Sequence, residues 1–139
     1  LLNAYTCTEC GRCTAACPAN QTGKKLSPRK IMRDTRDRLQ EVGKNIDANK
    51  GVFVPDNKTL LNDYITPEEL WACTSCNACV EECPVNISPL SIIMDMRRYL
   101  VMEQSAAPMP LNAMMTNIEN NGAPWQYSQQ DRLNWKNEN

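Results

Sequence analysis

Apolar positions recur along this chain at helical rather than strand spacing, and four stretches carry the pattern. After Ser27-Pro28, an N-cap followed by proline in the first turn, Ile31, Met32, Leu39 and Val42 form one narrow stripe among Arg, Lys and Asp. A helix over about 28–42 is predicted, with Gly43 as its stop. Thr66-Pro67-Glu68-Glu69 combines an N-cap, a first-turn proline and a capping-box glutamate, so a short helix should deliver Leu70 and Trp71 just ahead of residue 73. Ser88-Pro89 opens a third helix, to about Glu103, more apolar than the first and expected to be the more buried. Ala106 to Pro110 breaks it, and Leu111, Met114, Met115 and Ile118 then share one helical face before Asn121-Gly122. Residues 44–65, with Val52-Phe53-Val54, read as a connector holding one short strand or hairpin. Beyond Gly122 there is no periodicity, and Trp125, Tyr127 and Trp135 are expected to strap onto the domain or a partner.

Two of these stretches are copies of one another. Ser27-Pro28 and Ser88-Pro89 are each followed at equal distances by Ile (31, 92), Asp (34, 95) and Arg (36, 97), and each is preceded by a run of cysteines. The runs are Cys7-x-x-Cys10-x-x-Cys13-x-x-x-Cys17-Pro18 and Cys73-x-x-Cys76-x-x-Cys79-x-x-x-Cys83-Pro84, and they contain all eight cysteines. Thr8, Gly11, Thr14, Ala15 and Ala16 are small spacers, suited to a loop whose N–H groups turn inward onto sulfur. Gly11 and Asn77 occupy equivalent places and both tolerate positive φ.

The absence of histidine excludes imidazole ligands and His-based proton transfer, which leaves the chemistry to cysteine. Structural zinc would use paired Cys-x-x-Cys knuckles and would leave the third and fourth cysteine of each run unexplained. A disulfide framework fits an even count of eight, but cysteines three apart bridge poorly and nothing points to secretion. The formal charge of −1 argues against nucleic acid as a partner. No apolar span reaches the length of about 20 residues that a membrane helix needs, so no direct membrane insertion by this segment is expected. The start at Leu1 suggests a piece of a longer chain.

The cysteine cadence with its following proline resembles the bacterial ferredoxin signature for cubane [4Fe-4S] clusters, two of which are the expected cofactors. Bound, they would add roughly −2 each and take the chain to about −5. In two-cluster ferredoxins the fourth cysteine of each run ligates the other cluster. The resemblance thus implies Cys7, Cys10, Cys13 and Cys83 at one cluster, and Cys73, Cys76, Cys79 and Cys17 at the second. Pro18 and Pro84 agree with this, because proline turns the residue before it away from helical geometry. Each cluster would then staple both halves, and the fold should collapse without iron.

The 55 residues between the runs and the flanking helix signals resemble an all-α class, the α-helical ferredoxin domain. The segments Cys7 to Cys13, Ser27 to Ile31, Leu70 to Cys76 and Arg97 to Leu100 are similar to the dicluster domain of heterodisulfide-reductase iron-sulfur subunits and of the anaerobic glycerol-3-phosphate dehydrogenase iron-sulfur subunit. That likeness implies a dicluster domain over 1–104, with two pseudo-symmetric loop-plus-helix repeats, and a C-terminal helix and irregular tail over 105–139 as linker or docking segment. It implies relay of single electrons between a flavoprotein, a cysteine-rich catalytic domain or a membrane redox subunit. The expected location is cytoplasmic, at the inner membrane face through a partner or parent chain. No catalytic residues are visible here, so an oxidoreductase active site would lie elsewhere. A structural or redox-sensing assembly platform is the alternative role. Among secondary readings, Tyr5 and Trp71 are expected beside clusters, Glu9 and Arg12 are potential-tuning candidates, and Arg33, Arg36 and Arg38 form a solvated face. Met94, Met96, Met114 and Met115 are expected as core filler.

Overall fold

Proline opens four of the helices, because a ring that fixes φ and lacks an N–H loses nothing in a first turn. The computed structural model of the chain describes residues 2–137, and these hold helices and turns with no strand among them. The helices are α1 (Leu2–Thr6), α2 (Arg12–Ala15), α3 (Pro18–Gln21), α4 (Pro28–Ala48), α5 (Pro67–Trp71), α6 (Ala78–Glu81), α7 (Pro89–Met102) and α8 (Met109–Asn121), with a tight 3₁₀ helix over Gln129–Lys136. The chain divides into two compact units, Leu1–Tyr99 and Leu100–Asn139. The all-α class expected from the pattern is what the structure has.

In the first unit, α4 packs against α1 and α2 and carries the core. Ile31 and Met32 on it are fully buried, as are Leu26, Ile65, Leu70 and Ile93 from other segments. Each such side chain contributes roughly 1.5–3 kcal/mol by leaving water. Ser27 caps α4 by accepting from the Lys30 N–H, and Thr66 and Glu69 form the expected reciprocal box at α5. Ser88 accepts from the Ser91 N–H, so the second Ser-Pro starts its helix as the first does.

Several expectations are corrected. Helix α4 does not stop at Gly43 but runs to Ala48, ending where Asn49 and the positive-φ Gly51 close back onto Asn45 and Ile46. A mid-helix glycine costs roughly 0.5–1 kcal/mol. The turn beyond it is anchored, because the Asn45 side chain takes both the N–H and the C=O of Val54 at 2.9 Å. Those are the groups a ladder would use, and Val52-Phe53-Val54 is an exposed irregular segment and not a strand or hairpin. Later in the connector, Leu60–Tyr64 makes one wide turn interrupted by non-helical dihedrals at Leu61 and Asn62. Helix α7 is not the more buried: six of the 21 residues of α4 and four of the 14 of α7 are buried, an equal share, because α4 pairs Asp34 and Arg38 inside the fold. Residues 2–6 are helical rather than a bare approach, with Tyr5 half exposed. Met96 is core filler, whereas Met94 and Met115 are exposed.

The three arginines are not one solvated face. Arg33 is half exposed, but Arg36 pairs with Glu9, and Arg38 retains only 8% of its surface. Its guanidinium takes both Asp56 oxygens, at 2.5 and 2.8 Å, and the Lys58 carbonyl at 2.6 Å, which ties the connector to α4. Lys30 works similarly, reaching Asp34 at 3.0 Å and both Glu69 and the Tyr64 carbonyl at 2.8 Å. Buried charges with complete partners are tolerated, while breaking one such pair strands the other.

In the second unit, Gly122 ends α8 with φ +64°. The tail is more regular than expected, because Ser128 caps the 3₁₀ helix that carries an exposed Trp135.

Arg38→Met should lower the melting temperature by about 5 °C or more, from the loss of charged hydrogen bonds. Arg33→Met should leave it nearly unchanged. The Arg38 guanidinium holds the Asp56 carboxyl down from 3.8 to about 2, so its contribution is complete above pH 4 and fades as pH falls toward 2. Differential scanning of Asp56→Asn against the parent should show that segment of pH dependence removed.

Candidate metal centres

Each cysteine run is a loop that turns twice through left-handed backbone. Glu9 and Gly11 have φ 54° and 84°, and Ser75 and Asn77, at the same places in the second run, have 57° and 64°. The expectation for Gly11 and Asn77 holds. These turns launch the short α2 and α6, in which Thr14 N–H bonds to Gly11 and Val80 N–H to Asn77. The fourth cysteine closes each short helix, Cys17 N–H onto Thr14 and Cys83 N–H onto Val80. Extended backbone at Cys17 (φ −74°, ψ 116°) then sends the chain away at Pro18.

That departure crosses the fold. Cys7, Cys10, Cys13 and Cys83 line one space, and Ile87 and Pro89 from the second repeat form part of its wall. Cys73, Cys76, Cys79 and Cys17 line the other, walled by Leu26 and Pro28 from the first repeat. The crossing is therefore shared by the fourth cysteine and by the start of the helix that follows it. Cys7 and Cys83 also pack on one apolar cluster, Ala4, Met32 and Ile87. The structure brings all eight predicted residues into two quartets.

These spaces are poor places for bare thiolates. Burial pushes the Cys79 thiol up to about 11, with Cys73, Cys13 and Cys17 adding to the rise, and burial raises Cys13 as well. Only Cys10 and Cys76 are exposed. Each quartet thus holds one thiol raised by burial, Cys13 or Cys79, and four sulfurs that make a donor set a cationic, sulfur-loving centre would complete. Among the described residues no three Cys, Asp or Glu side chains converge on a single-ion position. Each quartet rings a space shared by both runs, and four cysteine thiolates are the donor set that a [4Fe-4S] cluster takes.

Residues missed in the sequence stand behind the loops. Arg36 Nη1 reaches the Cys7 carbonyl at 3.5 Å, and Arg97 Nη2 reaches the Cys73 carbonyl at 2.5 Å. Their common register after Ser-Pro was the available signal. Glu9 lines the first space and pairs with Arg36, which holds its carboxyl below the usual range. Trp71 lines neither space; the Arg97 guanidinium lies over its ring, 4.9 Å from the centroid.

A helical fold that gathers two quartets of cysteine from two crossed repeats has the arrangement of a dicluster iron-sulfur domain. The chain belongs to the 4Fe-4S dicluster domain family, whose profile matches residues 6–87. Two [4Fe-4S] clusters are the cofactors of such a domain, and eight cysteines are the thiolates they take. The chain is 36% identical to the probable iron-sulfur-binding oxidoreductase FadF of Bacillus subtilis, over 99% of this chain and 24% of that protein. It is 33% identical to the EtfAB:quinone oxidoreductase of Syntrophomonas wolfei, over 99% of this chain and 22% of that protein. It is also 35% identical to one component of the ferredoxin/F420H2-dependent CoB-CoM heterodisulfide reductase of Methanosarcina acetivorans, over 77% of this chain and 52% of that protein. The chain thus spans about a quarter of the first two relatives and about half of the third.

Left-handed turns set the loops, so Gly11→Val should cost roughly 1–2 kcal/mol and speed iron loss. Asn77→Gly should be neutral or mildly stabilising. Denaturant melts with iron release as a second readout compare the two.

Proposed function

We propose that this segment relays single electrons between redox partners through two clusters held in exchange. Cys7, Cys10, Cys13 and Cys83 hold one, and Cys73, Cys76, Cys79 and Cys17 hold the other. The observation that carries this reading is the crossing, in which each space is lined by three cysteines of one run and the fourth of the other. When bound, a [4Fe-4S] cluster supplies a reversible one-electron couple. The chain's own residues fix the donors, exclude water with Leu26, Ile87, Pro28 and Pro89, and seat the two quartets side by side, since α2 with Cys13 packs against α6 with Cys79.

The partners suited to this role are one-electron proteins: a flavoprotein on one side, and a cysteine-rich catalytic domain or membrane redox subunit on the other. One relative is named a probable iron-sulfur-binding oxidoreductase and another an EtfAB:quinone oxidoreductase, and both names support the reading. No described helix is long and apolar enough to cross a membrane. A place at the cytoplasmic membrane face would come through the rest of a longer chain or a partner. The parent activity would be that of a heterodisulfide-reductase-like oxidoreductase, with its substrate site outside this segment.

Anaerobically prepared protein should hold about eight iron and eight acid-labile sulfide per chain, with visible absorption that bleaches on dithionite. Four irons or fewer would rule out two clusters. Single Cys→Ser variants should fall into two spectroscopic groups. Cys17→Ser should perturb the same paramagnetic signal as Cys76→Ser, and Cys83→Ser the same one as Cys10→Ser. If Cys17→Ser instead matched Cys10→Ser, the exchange would be wrong.

A further inference from the structure

Arg36 and Arg97 each lie nine residues after the serine of their Ser-Pro, at the same point of two repeated helices. Each reaches the carbonyl of the first cysteine of its own run. Arg97 is the more firmly held: its Nε and Nη2 also donate to the Leu70 carbonyl at 3.1 and 2.6 Å, and the guanidinium stacks on Trp71. Two solvated arginines would have no reason to meet equivalent carbonyls, so the contact is a repeated device of the fold.

The two copies differ in charge. Arg36 is paired with Glu9, and the position equivalent to Glu9 in the second run is the neutral Ser75, whose hydroxyl meets the Met94 sulfur at 3.8 Å. Among the described residues no carboxylate pairs with Arg97. The first space is lined by two charged side chains, Glu9 and Arg29, whereas the second is lined by none. Arg97 is therefore a fixed cation behind the backbone of a site whose own wall is neutral.

We propose that Arg97 is the positioning residue of the second cysteine run and that its unneutralised charge raises the reduction potential of the cluster bound beside Cys73. The proposal rests on the ligand grouping above. Its physics is general: reduction adds one negative charge to a centre already anionic, and a nearby cation stabilises the reduced form more than the oxidised one. Low surrounding polarity strengthens the effect. Three hydrogen bonds to the Leu70 and Cys73 carbonyls and the Trp71 indole hold the guanidinium in place beside the site.

The test is a dithionite-poised redox titration of the cluster-loaded chain, read by electron paramagnetic resonance. Arg97→Gln should shift one of the two couples to lower potential, by about a tenfold change in its reduction equilibrium or about 59 mV for one electron, and leave the other in place. Arg97→Lys should keep that midpoint, since it keeps the charge, yet lose iron faster to a chelator because the fork is gone. An unmoved midpoint in an Arg97→Gln protein that retains both clusters would overturn the proposal. If that variant fails to hold iron, Ser75→Glu replaces it, as Glu9 already occupies the same left-handed conformation. A lowered midpoint of the same couple is then expected, and an unchanged one overturns the idea. A parent protein with four irons or fewer would instead defeat the two-cluster reading itself.

Discussion

A thiol buried away from water resists ionisation, and this chain gathers eight thiols into two spaces where most are buried or half-buried. The rest of the fold answers that constraint. Cys79, raised to about 11, is an inert thiol until a positive centre is present, and then a strong ligand. Metal binding therefore provides what a modest core of Ile31, Met32, Leu70 and Ile93 provides only in part. Because each quartet draws on both runs, loading the first space ties Cys13 to Cys83, 70 positions on, and loading the second ties Cys17 to Cys73, 56 positions on, which constrains the unfolded chain as well as the folded one.

The polar interior of α4 serves the same end. Lys30 and Arg38 fasten the connector and α5 to the helix, and α5 leads straight into Cys73. Thr14 and Ser27 share a hydroxyl contact at 2.9 Å that ties the first cysteine loop to the cap of α4. Loops built of small spacers have little apolar surface of their own, so their shape is set by hydrogen bonds from longer elements. Arg36 and Arg97 belong to that support through the Cys7 and Cys73 carbonyls.

Much of this was readable from residues. The Ser-Pro and Thr-Pro starts, the Glu69 box, the Asn121-Gly122 stop and the positive φ at Gly11 and Asn77 follow from local chemistry, which a sequence displays. The cysteine cadence and its repeat carry the dicluster family on their own. What stayed hidden was non-local. Gly43 looked like a stop because nothing nearby reveals that Asn45 will bind Val54. Arg38 looked solvated because Asp56 lies across a connector whose path has no periodicity. Trp71 looked like a cluster shield, yet the partner that claims it, Arg97, is on a helix far along the chain.

The measurement that bears most directly on the crossed arrangement is iron-edge anomalous diffraction from crystals of the loaded chain. It locates the metal independently of any protein tracing. The crossed arrangement predicts two groups of four irons, one bonded to Cys7, Cys10, Cys13 and Cys83 and the other to Cys73, Cys76, Cys79 and Cys17. An iron group bonded to Cys7, Cys10, Cys13 and Cys17 would contradict it.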